Sequence, residues 1–334
     1  MPNALNPTLI KKIPTECVSW RWNGNLGDDM IYAAQEAMFG HALQFGQYEF
    51  TPEAVFIGGG TFIAKGLQHP DLLKYSQRMP VTIFGTGVAD PLFWGRKDIP
   101  IWMEIVKNAQ FVGVRGPLSL ECLLEWGASE HHVQWTGDSA LYFAEQIKPK
   151  ISSTGHVAVN LGTTYNKLFG FNEPAVEKVI IEVIKQLIKE NHTVTMVSVW
   201  PPDDVVIERI KEQMPMVDVE YWYDDYAKAL NSINKFDFII CEKLHMGIVA
   251  ACRAVPFIAL NYRSKVLDFC RSIKWEKFCI STENLRSEPI LEFMSEFKKS
   301  QKEYSQLLNS NVLEIKNRLQ EPIPKVISAL GGRC

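Results

Sequence analysis

The 334-residue sequence lacks several features that mark large classes of protein. No run approaches the roughly 20 apolar residues that a membrane-spanning helix needs, so we expect no transmembrane segment. The net charge of −3 lacks the strong basic excess of a general nucleic-acid binder, and we predict no nucleic-acid partner. The first residues, 1–6, lack the charged-then-apolar layout of a signal peptide. These absences favour a cytoplasmic protein, and they leave room for a negatively charged small substrate, which needs only a few local cations.

The cysteines and glycines lack the spacing of the common metal, disulfide and dinucleotide motifs. Seven cysteines are scattered without a CxxC pair, which fits a reducing compartment and no disulfide framework. No His/Cys cluster has the spacing of a metal site, and no GxGxxG follows a predicted strand. We therefore predict no metal and no cofactor.

Apolar runs alternate with helical patterns along both halves of the chain. This alternation predicts an α/β fold with two Rossmann-like domains facing across a cleft. The predicted strands are Cys17–Trp22, Ala54–Ile57, Val81–Phe84, Phe111–Val114, Val157–Leu161, Thr193–Val199, Val217–Tyr221, Phe238–Cys241 and a run ending at Leu260. The predicted helices include Met30–Met38, Ile101–Asn108, Leu118–Trp126, Val176–Ile188, Val205–Met214 and Tyr223–Asn234.

A polar segment with one proline, residues 146–155, is the best candidate for a linker. We accordingly expect one domain over 1–148 and a second over 149–300. The tail 301–334 reads as a helix that crosses back to the first domain, with a disordered end. Its charges are expected to form a solvated face.

A histidine stands where a buried strand ends and a helix begins. Phe238–Cys241 is followed by Glu242, Lys243 and His245, and then by small apolar residues at helical spacing. Ligands of open α/β sheets bind at the carboxyl ends of strands, facing helix amides. Lys243 and His245 are therefore expected to face a ligand. Glu242 either pairs with Lys243 or holds His245 in one tautomer.

The loop after the first predicted strand carries two aspartates, Asp28 and Asp29, at the start of a helix. Carboxylates there compete with an anion for the positive end of the helix dipole, and they suit sugar hydroxyls better. The alternative is that either aspartate merely caps the helix.

Two glycine-rich segments follow predicted strands in the first half. Residues Gly58, Gly59, Gly60 and Thr61 allow close approach of backbone to a ligand and an anion-binding nest, or simply form a tight turn. Residues 85–87 repeat the theme, which suggests a shared crevice above the sheet.

Arg115 stands at a strand end beside a proline-started helix. Its guanidinium is expected to bind a carboxylate or a phosphate in bidentate fashion. The alternative is a structural ion pair with Asp138, in the turn at 136–140.

The pattern LHxxIxAxxxxxPxIALxYxxK over 244–265 resembles the C-terminal signature of the polysaccharide pyruvyl transferase family. The NLGDD loop, the VRxxxS segment at 114–119 and the GDxA turn at 137–140 resemble further family motifs. The resemblance implies an architecture similar to B-type glycosyltransferases. It also implies transfer of the enolpyruvyl group of phosphoenolpyruvate onto sugar hydroxyls as a ketal, in cell-surface polysaccharide or glycan biosynthesis.

Two residues depart from the family pattern, which usually reads arginine followed by LHG. Lys243 stands for the arginine, keeping the charge without the bidentate fork, and Met246 replaces the glycine. We expect Met246 to narrow or reshape the pocket.

The reaction implied by the resemblance assigns roles to the candidate residues. Lys243, Arg115 and Lys265 would hold the phosphate and carboxylate of the donor. His245 would be the general acid, kept protonated by the phosphate, or would only contact that phosphate. Asp28 or Asp29 would orient or deprotonate the acceptor hydroxyl. The other candidate substrate-binding residues are Asn160, Gly58, Gly59, Gly60, Thr61 and Tyr262.

Two other functions compete with pyruvyl transfer. A B-type glycosyltransferase using a nucleotide sugar would need a base-stacking pocket and a carboxylate for the ribose, for which Glu242 is the only strand-end acid. A sugar-binding protein without activity is the third candidate. The acceptor saccharide is compatible with free or lipid-linked forms, and a lipid-linked one with peripheral membrane association.

Overall fold

The structure is a computed structural model, and it describes residues 12–20, 23–46, 51–67, 69–147, 154–223 and 225–331. Several sequence predictions fall outside these ranges. They concern the chain start at 1–6, the end of the first predicted strand at 21–22, the linker segment 148–153, position 224 and the last three residues.

The first half of the described chain forms a parallel sheet flanked by helices. Its strands are β1 (Ile13–Val18), β2 (Leu43–Gly46), β3 (Ala54–Gly58), β4 (Thr61–Ile63), β5 (Val81–Val88), β6 (Phe111–Val114) and β7 (Val133–Trp135). Their order is β2-β1-β3-β5-β6-β7, with β4 paired beside the far end of β5. Its helices are α1 (Leu26–Phe39), α2 (Leu72–Ser76), α3 (Pro91–Trp94), α4 (Ile99–Asn108) and α5 (Pro117–Glu125).

The second half repeats this architecture with a second parallel sheet. Its strands are β8 (His156–Asn160), β9 (Thr193–Ser198), β10 (Asp218–Tyr221), β11 (Phe238–Cys241), β12 (Phe257–Asn261) and β13 (Cys279–Ser281), in the order β10-β9-β8-β11-β12-β13. Its helices are α6 (Glu173–Lys189), α7 (Asp204–Gln213), α8 (Tyr226–Ser232), α9 (Leu244–Cys252), α10 (Ser264–Ser272), α11 (Ser287–Gln320) and α12 (Ile323–Ala329). Two parallel sheets with flanking helices confirm the predicted fold class of two Rossmann-like domains.

The structure corrects two of the predicted strands in the first half. The first strand begins at Ile13 and ends at Val18, earlier than the predicted 17–22. The glycine-rich segment 85–87, expected to follow a strand that ends at Phe84, belongs to β5, which continues to Val88. Gly85 adopts a φ of 67° where the pairing with β6 shifts register, so this glycine forms a bulge inside a strand.

Helix α1 joins the two domains at the base of the cleft. Leu26, Met30 and Ile31 pack in the same apolar cluster as the core of the second sheet. The amide of Leu26 also donates to the carbonyl of Val199, just after β9. The start of α1 is therefore held against the second domain.

The C-terminal helices contact the first domain. Leu319, Val326 and Ile327 are buried in one cluster with Phe39 and Phe84. Helix α11 bends at Ser300, where φ is −136° and ψ is 37°. Among the described residues, no helix is both long and apolar enough to cross a bilayer.

Candidate functional site

A cleft of about 470 Å³ lies where the carboxyl ends of the two sheets face each other. An inner cavity of about 140 Å³ continues from it toward β5 and β6 and shares nine of its lining residues. The residues common to both are Trp20, Asn25, Asp28, Lys65, Trp94, Leu244, His245, Arg263 and Lys265. Both domains thus contribute to one continuous site.

His245 lies in the first turn of α9 and lines both parts of the cleft. A β-carbon at Gly27 would come within 1.8 Å of its Nδ1 atom, so α1 approaches the imidazole through a glycine. Within the described chain its Nε2 atom is buried without a hydrogen-bond partner. Burial, followed by the charges of Lys265 and Arg115, lowers the pKa of His245 well below its ordinary value. The imidazole is therefore neutral without an anionic ligand.

Lys243 lines the cleft with a side chain that is already paired. Its Nζ atom lies 3.0 Å from Oδ1 of the buried Asp203 and donates to the carbonyl of Thr163 at 2.7 Å. Burial is the largest influence and opposes the charged form, but Asp203, Tyr262 and Glu242 together outweigh it and raise the pKa of Lys243. Lys243 is therefore a charged residue whose nearest anion belongs to the protein.

Asn160 and Glu242 lie behind the cleft rather than on it. Asn160 is fully buried; its side chain donates to the carbonyl of Val197 and accepts from the amide of Lys243. Glu242 is 1% exposed and accepts from the amide of Gly162 at 3.1 Å. Burial raises the pKa of Glu242 to about 7. Neither proposed partner of Glu242 is hydrogen-bonded to it among the described residues, since Lys243 pairs with Asp203 instead.

The acidic loop places only one of its two aspartates on the cleft. Asp28 lines both parts of the cleft, and Asn23 donates to its Oδ2 atom at 2.9 Å. Asp29 is in the same turn but is not among the described cleft residues. Asn25, not an aspartate, caps α1 by accepting from the amides of Gly27 and Asp28. Burial raises the pKa of Asp28 to about 6, although Asn23 and Lys265 oppose the rise.

The glycine triplet divides between packing and the site. Gly58 and Gly59 are absent from the described lining, and β-carbons there would meet Gln35 and Ile31 of α1. Gly60 and Thr61 do line the inner cavity. They also hold Arg115 in place, because its Nη1 donates to the carbonyl of Gly60 and its Nη2 donates to the hydroxyl of Thr61.

Arg115 is 1% exposed and lines the inner cavity. Its place in the cavity agrees with the predicted anion-binding role. The alternative, an ion pair with Asp138, also describes part of its environment, because Nη1 is 3.9 Å from Oδ2 of Asp138. A β-carbon at Gly87 would come within 2.2 Å of Nη2, which explains a glycine at that place in β5. Its Nε atom is buried without a partner in the described part of the chain. The Nε–H of the guanidinium is therefore an unused donor.

Two helices begin at the cleft without a side-chain cap among the described residues. These are α9, preceded by Lys243, and α10, preceded by Arg263. Ser264 and Lys265 of α10 line the inner cavity beside His245. Helix starts favour anions, so the inner cavity combines two of them with Arg115 and Lys265.

Tyr262 also lines the cleft, while Met246 does not. The ammonium of Lys265 lies 5.2 Å from the centre of the Tyr262 ring. Met246 is fully buried in the core cluster of the second domain. The expectation that Met246 narrows the pocket is wrong, because its side chain turns away from the cleft into that core.

Several cleft residues were missed by the reading of the sequence. They are Trp20, Lys65, Trp94, Lys167, Trp200 and Arg263. Lys65 comes five residues after the glycine triplet, and Arg263 adjoins Tyr262, so proximity to recognised motifs is a signal for these two. Trp20, Trp200 and Lys167 lie on loops and Trp94 ends the short helix α3, and their meeting in one cleft depends on how the domains pack.

The fold and the cleft define a class of two-domain α/β proteins with a site between the sheets, similar to B-type glycosyltransferases. A structure of S. aureus MnaA with UDP superposes with a TM-score of 0.61 at 12% identity, covering 97% of this chain and 99% of that chain. UDP-GlcNAc 2-epimerase from Neisseria meningitidis, bound to UDP-GlcNAc, gives 0.55 at 11% identity, covering 96% and 99%. At these identities the likeness concerns the fold alone.

The sequence itself is matched over residues 25–264 by the family model for polysaccharide pyruvyl transferase. The chain belongs to the polysaccharide pyruvyl transferase family. No curated protein matches it significantly by sequence.

Proposed function

We propose that this protein transfers the enolpyruvyl group of phosphoenolpyruvate to two hydroxyls of a saccharide, forming a ketal and releasing phosphate. The observation that carries the proposal is the inner cavity. It brings Arg115, Lys265 and the starts of α9 and α10 around a neutral His245. A small ligand with a phosphate and a carboxylate suits this set of donors.

A neutral His245 must first gain a proton before it can act as a general acid. The pKa of His245 is lowered by burial and by Lys265 and Arg115, and an anion bound between these cations would oppose their effect. Donor binding would thus raise the pKa of His245 and allow it to carry a proton. His245 would then be a general acid in the donor complex only.

The proposed reaction balances as an addition followed by a displacement. A proton is added to the methylene carbon of phosphoenolpyruvate, and the oxygen of one sugar hydroxyl bonds to the adjacent carbon while losing its own proton. A second hydroxyl of the same acceptor then bonds to that carbon, the bond between that carbon and the phosphate oxygen breaks, and the departing phosphate takes the proton of the second hydroxyl. Asp28, at the edge of the same cavity, would accept the proton of an attacking hydroxyl.

We assign the donor to the inner cavity and the α9 side, and the acceptor to the outer cleft beside the α1 loop. Lys243 would support the donor indirectly, because its own charge is balanced by Asp203. Asn160 would set the backbone from which Lys243 and His245 project, through its bond to the amide of Lys243.

A nucleotide-sugar donor remains the competing function because the neighbours named above are bound to UDP or UDP-GlcNAc. Glu242 was its candidate for the ribose, and that carboxyl is buried against Gly162. Glu242, the one strand-end acid that we assigned to this function, therefore does not reach the cleft. The competing function rests on the fold alone.

The proposal is tested by phosphate release from phosphoenolpyruvate across a panel of saccharides, with mass spectrometry of the products. We expect one saccharide class to gain a carboxyethylidene group. His245→Ala should abolish turnover while retaining the folded state, and His131→Ala, at an exposed histidine, should retain turnover. Full turnover in His245→Ala, or sugar transfer from UDP-GlcNAc, would contradict the proposal.

A further inference from the structure

The outer part of the cleft carries a group of cations that the donor does not require. Lys65, Lys167 and Arg263 all line it, and they come from both domains. Lys65 and Arg263 also reach the inner cavity, whereas Lys167 lines the outer cleft alone among the described residues. In the part of the chain that the structure describes, none of the three forms an ion pair with an acidic side chain. We refer to these three residues as the outer cation group.

The two lysines of the outer cation group meet on a single indole ring. The Nζ atoms of Lys65 and Lys167 both lie 4.6 Å from a ring centre of Trp94, and Lys65 also lies 5.0 Å from that of Trp20. A cation–π contact attracts the ammonium to the ring face but does not neutralise its charge. Like charges from opposite domains therefore lie near one ring without a direct ion pair to an acidic side chain of the described chain.

The electrostatics of Lys65 agree with a missing anion. Burial, followed by the charges of Lys265 and Arg263, lowers the pKa of Lys65 to about 8. Asp28 opposes this shift and Lys167 adds to it. An anionic ligand beside Lys65 would relieve the repulsion and restore its full charge.

Arg263 fixes the loop that carries Lys167. Its Nε atom donates to the carbonyl of Lys167 at 2.6 Å, and its Nη2 atom donates to the carbonyl of Thr164 at 3.1 Å. The guanidinium stacks near Phe93 of α3, 5.7 Å from the ring centre. The outer cation group thus has a defined geometry across the cleft, despite the exposure of Lys167.

We propose that Lys65, Lys167 and Arg263 form a second anion subsite, which binds a phosphate or carboxylate group carried by the acceptor saccharide. The inference rests on the proposed function and narrows it to acidic or phosphorylated acceptors. The phosphate and carboxylate of the donor are matched by Arg115, Lys265 and the two helix starts. Lys167 is not among the inner-cavity residues, so it is available, together with Lys65 and Arg263 at the junction of the two parts, for a different anion. Binding there would also draw the two domains together, because Lys65 and Lys167 belong to different ones.

The first test is calorimetric titration of inorganic pyrophosphate into protein saturated with phosphoenolpyruvate. We expect one further pyrophosphate site whose affinity falls about tenfold or more in Lys167→Gln, since the substitution removes a charge-assisted hydrogen bond to the ligand. Lys167→Arg should retain the affinity. Lys178→Gln, which removes an exposed lysine from α6, is the control for net charge. The affinity for phosphoenolpyruvate should stay unchanged in all three variants.

A second titration identifies the anionic group. Glucose 1-phosphate and glucuronate are compared with methyl glucoside, and tighter binding of either acid, lost in Lys167→Gln, supports the subsite and names its chemistry. Equal binding of all three overturns it, as does pyrophosphate binding that competes with the donor one-for-one or ignores Lys167. Failure of phosphoenolpyruvate to bind would instead overturn the proposed function, and the Lys167 dependence of pyrophosphate binding would still decide on the subsite.

Discussion

Gly27 and His245 lie so close that a single methyl group does not fit between them. A β-carbon on residue 27 would be 1.8 Å from Nδ1 and 1.9 Å from Cγ of the imidazole. These residues belong to different domains, α1 in the first and α9 in the second. The start of α1 therefore limits where the imidazole can lie. The NLGDD motif and the motif that begins at Leu244 are in direct contact.

Gly27→Ala should displace the imidazole. By helix propensity alone, the substitution would stabilise α1 by about 1 kcal/mol. The clash with His245 predicts the opposite, a loss of about 1–3 kcal/mol in the free energy of unfolding. Denaturant unfolding measures it, and turnover should fall as well. In the His245→Ala background the same substitution should be neutral or stabilising. Equal destabilisation in both backgrounds would contradict the contact.

The activity should depend on ionised Asp28. Because the pKa of Asp28 is raised to about 6, kcat/KM of the wild type relative to Asp28→Asn should fall about tenfold per pH unit below 6. Taking this ratio cancels the titration of the substrate, which both proteins share. Asp29→Asn, one residue along α1, should keep the wild-type profile. A ratio that is constant from pH 5 to 8 would remove Asp28 from the proton transfer.

Asp28 should also destabilise the folded protein at neutral pH. Its folded pKa, about 6, lies above its ordinary value of 3.8, so the folded state binds more protons than the unfolded state between these values. The free energy of unfolding consequently falls as the pH rises through this window. At pH 7.5 Asp28→Asn should be more stable than the wild type by on the order of 2 kcal/mol, and the difference should narrow toward pH 4.5. Urea unfolding at both pH values, with Asp29→Asn as control, measures it.

Lys243→Ala should act mainly on stability. The substitution leaves the buried Asp203 without its cation, which typically costs about 3–5 kcal/mol. Adding Asp203→Asn should recover part of that loss in denaturant unfolding. Undiminished stability of Lys243→Ala, together with lost donor binding, would instead mean that Lys243 contacts the donor directly.

The fold class and the centre of the site follow from local sequence patterns. His245, Arg115, Lys265 and Asp28 all stand at a strand end or a helix start, and in parallel sheets these positions meet at one edge. Local rules were sufficient because each such residue is positioned by its own strand–helix junction. The strand order and the short strands β2, β4, β7 and β13 were not predicted, since brief apolar runs carry little periodicity.

The outer cleft and the roles of partner residues could not be read in the same way. Asp203 lies forty residues before Lys243 in sequence, and Trp94 meets Lys167 only because the domains face each other. Asn160 was predicted to bind the substrate. Its strand is central in the sheet, so its side-chain amide instead bonds to the backbone of Val197 and Lys243. Such contacts depend on tertiary packing, which no short spacing encodes.

The central claim, that the inner cavity binds phosphoenolpyruvate, is tested most directly by thermal unfolding with ligands. Phosphoenolpyruvate at about 100 times its dissociation constant should add about 2.7 kcal/mol to the free energy of unfolding. We predict stabilisation by phosphoenolpyruvate, its loss in Lys265→Gln, and its retention in Lys178→Gln. Stabilisation by UDP-GlcNAc and not by phosphoenolpyruvate would contradict the account and favour a nucleotide-sugar enzyme.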